Sequence, residues 1–177
     1  MKRRTTFLAT TLLCAFQPIS ANMDIAFVES APKDWFSLTN AGECVLEKIS
    51  MTVDLSSTAG KLIFDTTSAG EGVEVFQPFE TREGNVQLTS AKTVLDGENR
   101  LAVFVDALAP GQSVSFTIDV DDTLPKSELG NIRVSDSEMV GGVVSLTVGD
   151  QPDVTGAFNS QALITLPSPD CTISSDI

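Results

Sequence analysis

The 177-residue sequence contains no histidine and no tyrosine. Without histidine the chain cannot form a Ser-His-Asp triad, a Cys-His dyad or a histidine zinc site, and it has no imidazole to transfer protons. The chemistry that remains belongs to carboxylates, either as an acid pair of the glycosidase kind or as oxygen ligands of a metal ion. We therefore expect a protein that is not an enzyme, with a carboxylate-based or metal-dependent hydrolase as the alternative.

Basic residues are scarce, and three of them stand together at the start of the chain. Lys2, Arg3 and Arg4 precede an apolar run over residues 7–16, and Ile19-Ser20-Ala21 follows, with small residues at its last two positions. The run is too short to cross a bilayer as a helix, which takes about twenty residues. This order of charge, apolar run and small residues is typical of a signal peptide. We predict a signal peptide over residues 1–21, cleaved near Ala21, and a secreted or periplasmic protein.

The remaining chain is strongly acidic. The predicted signal peptide holds three of the 11 basic residues and none of the 24 acidic ones, which leaves 24 acidic and 8 basic residues and a formal net charge of −16. Such a charge repels phosphate backbones and anionic bilayers, so nucleic acid is not an expected partner. The expected partner is a protein or polysaccharide at a cell surface or in a matrix, and no membrane span is expected.

Only two cysteines, Cys44 and Cys171, follow the predicted signal peptide. In an exported chain the compartment is oxidising, so two cysteines indicate one disulfide. Neither residue belongs to a Cys-x-x-Cys pair, and no histidine is present to activate a thiol. We predict a Cys44–Cys171 disulfide.

No segment keeps a 3.6-residue apolar period over three turns, so little helix is expected. Apolar residues instead alternate with polar ones between Gly- and Pro-containing turns, a pattern typical of β-strands. The pattern predicts an all-β fold, a two-sheet antiparallel sandwich of the immunoglobulin-like or jelly-roll kind, over residues 22–166. Residues 167–177 are expected to form a tail that Cys171 pins. The ten predicted strands cover residues 24–29, 35–40, 45–55, 62–64, 73–76, 101–105, 113–121, 132–135, 143–148 and 162–166.

The predicted strand over residues 113–121 ends in a group of acids, Asp119, Asp121 and Asp122. Side chains at positions i and i+2 of a strand share a face, so Asp119 and Asp121 are expected to converge while Asp122 turns with the loop. Such oxygens can hold calcium when other acids assist. The candidate helpers are Asp106, Asp136 and Glu138, and the turn over residues 96–99 offers further oxygens.

Two other interpretations of this acidic stretch compete with the calcium site. The favoured one is an exposed acidic strand edge that blocks edge-to-edge pairing. The stretch also resembles the first motif of haloacid dehalogenase-like phosphatases, an apolar strand that ends in Asp-x-Asp-x-Thr. That family places the motif at the start of a parallel α/β domain, whereas here Pro125 follows it late in a β-rich chain.

The single tryptophan, Trp35, stands beside Phe36 and Leu38 in a predicted strand. It is interpreted as a core residue, and the alternative is an aromatic platform for a sugar.

Several stretches together resemble bacterial secreted proteins that are named for similarity to the core protein of the sponge aggregation factor. The resemblance covers roughly residues 25–148. Because the sponge complex is a calcium-dependent extracellular adhesion assembly, the resemblance implies adhesion and no catalysis. The stretches are WFSLTNAGEC (35–44), VDLS (53–56), LIFDT (62–66), GVEVFQPF (72–79), LAPG (108–111), SFTIDVDDTLP (115–125) and GNIRVS (130–135). The expected function is therefore calcium-assisted adhesion or surface assembly.

Overall fold

The computed structural model describes residues 22–30, 33–73, 75–89 and 93–168, and nearly all regular structure in these ranges is β-strand. The predicted signal peptide and Cys171 lie outside the described residues. The strands are β1 (Asn22–Val28), β2 (Trp35–Asn40), β3 (Leu46–Asp54), β4 (Ile63–Asp65), β5 (Glu80–Glu83), β6 (Val86–Leu88), β7 (Arg100–Leu108), β8 (Ser113–Thr117), β9 (Asp119–Asp121), β10 (Val143–Val148), β11 (Val154–Ala157) and β12 (Leu163–Pro167), and a short helix α1 spans Asp136–Met139.

Two five-stranded antiparallel sheets pack face to face. One has the strand order β12-β1-β2-β8-β5 and the other β11-β10-β3-β7-β6, while β4 and β9 pair in a small third sheet. Alternating apolar residues from both large sheets fill the space between them, including Phe36 and Phe116, whose rings stack with centroids 5.4 Å apart. The prediction of a two-sheet antiparallel sandwich is confirmed.

Alternation places Trp35 on the outer face of its sheet. In β2 the side chains of Phe36 and Leu38 point into the core, so Trp35 and Ser37 point away from it. Trp35 is half-buried, and the guanidinium of Arg82 lies 4.4 Å from the centre of its ring. The interpretation of Trp35 as a core residue was wrong, and the alternative of a platform for a sugar stays a prediction, with Arg82 over one face of the ring.

The strand predicted over residues 45–55 changes phase near its start. Lys48 has a left-handed backbone with φ of 53°, which resets the alternation. Leu46 is therefore buried together with Ile49, while Val45 is 54% exposed, although the sequence pattern placed Val45 and Ile49 on one face.

The strand predicted over residues 113–121 is in fact two strands in two different sheets. β8 pairs with β2 and β5, whereas β9 pairs with β4. The change occurs at Ile118, whose amide donates a hydrogen bond to the carbonyl of Asp34 at 3.3 Å. This switch carries the acids at the end of the strand into the interior of the protein.

Other departures from the predicted strands are local. Strands β5, β6 and β11 were not predicted, and residues 132–135 form no strand but lead into α1. The amide of Ser135 donates to Glu138 Oε2 at 2.8 Å, a contact that stabilises the start of that helix. The strand predicted over residues 73–76 is also not observed, because the backbone is irregular at Val73, Val75 and Phe76. In the described part of the chain, no helix has the length and apolar character that a membrane crossing would require.

Candidate metal centre

The antiparallel pairing of β4 with β9 brings three aspartates together. Its register sets Asp65 opposite Asp119 and Phe64 opposite Val120. Because side chains alternate along a strand, Phe64 and Val120 pack into the core on one side, and the aspartates share the other. Asp121 follows Asp119 by two residues and lies on the same face, so both acids of β9 meet Asp65.

The three carboxylates are buried and close together. Asp65, Asp119 and Asp121 are 0%, 5% and 1% exposed, and one oxygen from each lies within 4.8 Å of the others. The favoured interpretation of an exposed acidic edge was therefore wrong. The i and i+2 spacing did predict that Asp119 and Asp121 converge, and that prediction is confirmed.

Several oxygens of this group have no hydrogen-bond donor. Both oxygens of Asp65, Oδ2 of Asp119 and Oδ1 of Asp121 are buried without a partner. In contrast, Asp121 Oδ2 accepts a hydrogen bond from the amide of Val73 at 2.8 Å. Each unpaired buried polar atom costs about 1–3 kcal/mol, and more when it is charged. The cluster is therefore costly unless something positive or a proton lies between the carboxylates.

In the part of the chain that the structure describes, no lysine or arginine forms an ion pair that would balance the negative charge of the three aspartates. The ion pairs within the described ranges join Lys33 to Glu80 and Arg133 to Glu29, so neither involves the three aspartates. Asp65 lies within hydrogen-bonding reach of the carboxylates of both Asp96 and Asp121, an arrangement that is repulsive when all of them are ionised.

The pKa values reflect this environment. Burial raises the pKa of Asp65 to about 7, with further contributions from Asp96 and Asp121. Burial and the charges of Asp121 and Asp34 raise the pKa of Asp119 to about 8. The pKa of Asp121 is also raised, mainly by burial, although the Val73 amide opposes the change. Such carboxylates accept either a proton or a cation more readily than an ordinary aspartate.

Asp34 positions the start of β9 beside the centre. Its Oδ2 accepts the amide of Val120 at 3.3 Å, and its Oδ1 accepts the amide of Ser30 at 3.1 Å. The residue is 4% exposed, and burial raises its pKa to about 7 despite these two donors. The side chain and main chain of Asp34 thus hold the segment in which the polypeptide passes from β8 to β9.

Asp96 adds a fourth carboxylate at the edge of the centre. Its oxygens accept the amides of Thr66 at 2.8 Å, Thr67 at 3.0 Å and Glu71 at 3.0 Å. Partial burial acts to raise the pKa of Asp96, but these three donors and a hydrogen bond with the Asp65 carboxyl outweigh it and lower the pKa. Asp96 therefore keeps its charge while Asp65 beside it favours a proton or a cation.

The other predicted ligands do not join the group. Asp122 is buried, but its Oδ1 accepts the amide of Leu124 at 3.0 Å within its own turn, and its Oδ2 has no partner. Asp106 is exposed on β7 and Asp136 is exposed in α1. Glu138 is buried with both oxygens occupied by donors from Ser135 and Glu128.

Asp65 is the member of the centre that the sequence analysis missed. The signal was present, because an apolar run over residues 62–64 ends in Asp65 as the run before Asp119 ends in an acid. Nothing in the sequence indicated that β4 pairs with β9, because the two strands are far apart in the chain.

The spacing of the three carboxylates suits a hard cation. Oxygens that share one calcium ion at about 2.3–2.6 Å lie at most about 5 Å apart, which the three carboxylates satisfy. A hydrolase instead needs acids that line a cleft open to substrate. A surface cavity of about 480 Å³ beside Asp96 is lined by residues such as Thr66, Pro78 and Phe79, and not by the three aspartates.

No protein-family model matches this chain, and no curated protein matches it.

Proposed function

We propose that this chain is an exported, non-catalytic β-sandwich module that binds calcium between Asp65, Asp119 and Asp121 and acts in adhesion or matrix assembly outside the cell. The observation that carries the proposal is the set of buried carboxylate oxygens without donors in this group. A divalent cation would neutralise two of the three charges and give the unpaired oxygens a ligand.

The donor set favours calcium among biological cations. All three side chains offer oxygen only, and the sequence has no histidine that would favour zinc or copper. Calcium tolerates irregular oxygen shells and accepts main-chain carbonyls and water to complete 6–8 ligands, whereas magnesium demands a near-ideal octahedron. The predicted export signal is consistent with an environment that is rich in calcium.

The adhesion part of the proposal is supported by the predicted signal peptide, the net acidity and the resemblance to aggregation factor core proteins. A module that carries formal charge −16 would repel its own copies unless cations screen or bridge the charge. Calcium would thus favour association both by stabilising the fold and by lowering this repulsion.

Calorimetric titration of chelator-stripped protein from residue 22 onward tests the cation site. Calcium should bind with one strong site and raise the melting temperature by about 5–10 °C at a hundredfold excess over Kd. Asp65→Asn and Asp121→Asn should each lose most of this response, while Asp106→Asn, which removes an exposed charge, should keep it. Absence of calcium binding by the stripped wild-type protein would refute the site.

Adhesion is tested separately with beads that carry the protein. Calcium at millimolar concentration should aggregate the beads, a chelator should disperse them, and beads carrying Asp65→Asn should stay dispersed. Beads that remain dispersed in calcium, despite a titration that shows binding, would remove adhesion from the proposal and leave the cation site intact.

A further inference from the structure

A loop of residues 66–73 lies directly against the acidic centre. Its amides at Thr66, Thr67 and Glu71 donate to Asp96, and the amide of Val73 donates to Asp121 Oδ2 at 2.8 Å. The loop is therefore held at several points by acids, and one of those acids belongs to the candidate cation site.

Two glycines allow this close approach. A Cβ atom added to Gly72 would lie 2.1 Å from Asp65 Oδ2, and one added to Gly70 would lie 1.2 Å from Asp96 Oδ2. No carbon atom can occupy either place without moving the carboxylate or the loop. Glycine is needed at these positions because the backbone lies directly against the carboxylates, and this need is separate from any demand of turn geometry.

The residues after the loop tie it further to the centre. The amide of Gln77 donates to the carbonyl of Asp65 at 3.1 Å, and the amide of Asp119 donates to the carbonyl of Gln77 at 3.1 Å. The segment between Asp65 and Gln77 thus begins and ends at strands that carry the aspartates. A change in the distance between β4 and β9 would therefore move both ends of the loop.

When both carboxyls are ionised, repulsion between Asp65 and Asp96 opposes this docked arrangement. Asp96 holds the loop through three amides, yet its carboxylate lies within reach of Asp65, whose two oxygens have no donor. A cation bound by Asp65, Asp119 and Asp121 would remove that repulsion, because it offsets the charge on Asp65.

We propose that cation binding at Asp65, Asp119 and Asp121 fastens the 66–73 loop over the centre, with Asp96 as the positioning residue that holds the loop. The inference rests on the proposed cation site. It adds a conformational consequence, because the loop is docked when the cation is bound and released when it is removed. Exposed Val75 and Phe76 follow the loop closely in the chain, so calcium would also control where this apolar pair lies.

Hydrogen exchange followed by mass spectrometry on peptides that cover residues 66–73 tests this inference. In the wild-type protein, saturating calcium should slow exchange in these peptides at least about tenfold relative to chelator-treated protein. Asp96→Asn should bind calcium by calorimetry with an affinity reduced about three- to tenfold, yet exchange of the loop should remain fast in calcium. The asparagine oxygen can still accept the amides of Thr66 and Thr67, but its NH2 group faces the amide of Glu71, which loses its acceptor and frees that end of the loop.

Gly72→Ala gives a second test that does not alter charge. The added methyl group should keep the loop undocked in calcium, while circular dichroism should still show a folded β-protein. Ser68→Ala, an exposed change in the same loop, should behave as wild type in both measurements.

The two proposals fail in different ways. If the stripped wild-type protein does not bind calcium, the cation site is refuted and the loop inference falls with it. If the wild-type protein binds calcium but loop exchange is the same with and without it, or if Asp96→Asn leaves the calcium effect on exchange unchanged, the loop inference is overturned and the cation site stands.

Discussion

Asp65 and Asp119 are cross-strand partners in the β4–β9 pair, and each has a buried carboxylate oxygen without a hydrogen-bond donor. Like charges placed directly opposite each other destabilise an antiparallel pair. Here a third carboxylate, Asp121, lies beside them, so the pair would be unfavourable in a protein that used these strands only for packing. The arrangement is understandable when the strands serve to hold a cation.

Neutralising Asp65 should stabilise the protein when no divalent cation is present. In Asp65→Asn the side chain keeps its shape, loses its charge and gains an amide that can donate to a neighbouring carboxylate. At pH 7.5 in chelator, we expect the free energy of unfolding by urea to increase by about 1–3 kcal/mol. Asp106→Asn should change it by less than about 0.5 kcal/mol. A less stable Asp65→Asn protein in chelator would contradict this account.

The stability of the cation-free protein should fall as pH rises from 5 to 8. The pKa values of Asp65 and Asp34 are about 7 and that of Asp119 is about 8, against an ordinary value of 3.8. At pH values between the ordinary pKa and these raised values, the folded state binds more protons than the unfolded state, so raising the pH favours unfolding. Because the groups interact, their effects do not add, and we expect a total loss of about 2–4 kcal/mol.

Urea unfolding at pH 5, 6, 7 and 8 measures this slope. In saturating calcium the part of the loss that comes from Asp65 and Asp119 should disappear, because the cation replaces the protons that these ligands release, and the part that comes from Asp34 should remain. Carboxylates with a lowered pKa, such as Glu29 and Asp54, act in the opposite direction, but they titrate below this window. A stability that rises steadily from pH 5 to pH 8 in chelator would show that the aspartates are not buried together.

Asn40 should be the most sensitive polar residue away from the centre. It is fully buried, its Nδ2 donates to the carbonyls of Cys44 at 2.7 Å and Leu108 at 2.9 Å, and its Oδ1 accepts the amide of Gly42 at 3.0 Å. Asn40→Ala leaves all three main-chain groups without that partner. We expect a loss of about 2–4 kcal/mol in urea unfolding.

The control for this prediction is Asn99→Ala, because Asn99 is exposed. That variant should unfold within about 0.5 kcal/mol of the wild-type protein. If the two alanine variants were equally stable, the hydrogen bonds of Asn40 would contribute nothing to the fold.

The predicted Cys44–Cys171 disulfide should join the loop after β2 to the C-terminal tail. Peptide mapping of exported protein without reduction should recover the two cysteines in one linked peptide. Replacing both with serine should lower the free energy of unfolding by about 2–5 kcal/mol. Complete alkylation of Cys44 in unreduced, unfolded protein would show that this disulfide does not form.

The alternation of apolar and polar residues predicted the strands that bury one regular face. β2 and β10 were predicted with their observed bounds, and β1 and β12 were predicted within two residues, because each shows apolar residues at every second position. β5 was missed because all four of its side chains are exposed, so its sequence carries no apolar period. It is a strand only because β8 offers a free edge for pairing.

The sequence by itself determined the all-β class, the absence of imidazole chemistry, the excess of acid and the convergence of Asp119 with Asp121. The tertiary structure alone decided that these acids are buried, because the chain leaves one sheet at Ile118 and enters another beside β4. It also decided that Asp65 completes the group. Local periodicity records which face of a strand is apolar, but it does not record which remote strand lies next to it or what covers the other face. Here the pairing of β4 with β9 turns an apparently exposed acidic edge into a buried centre.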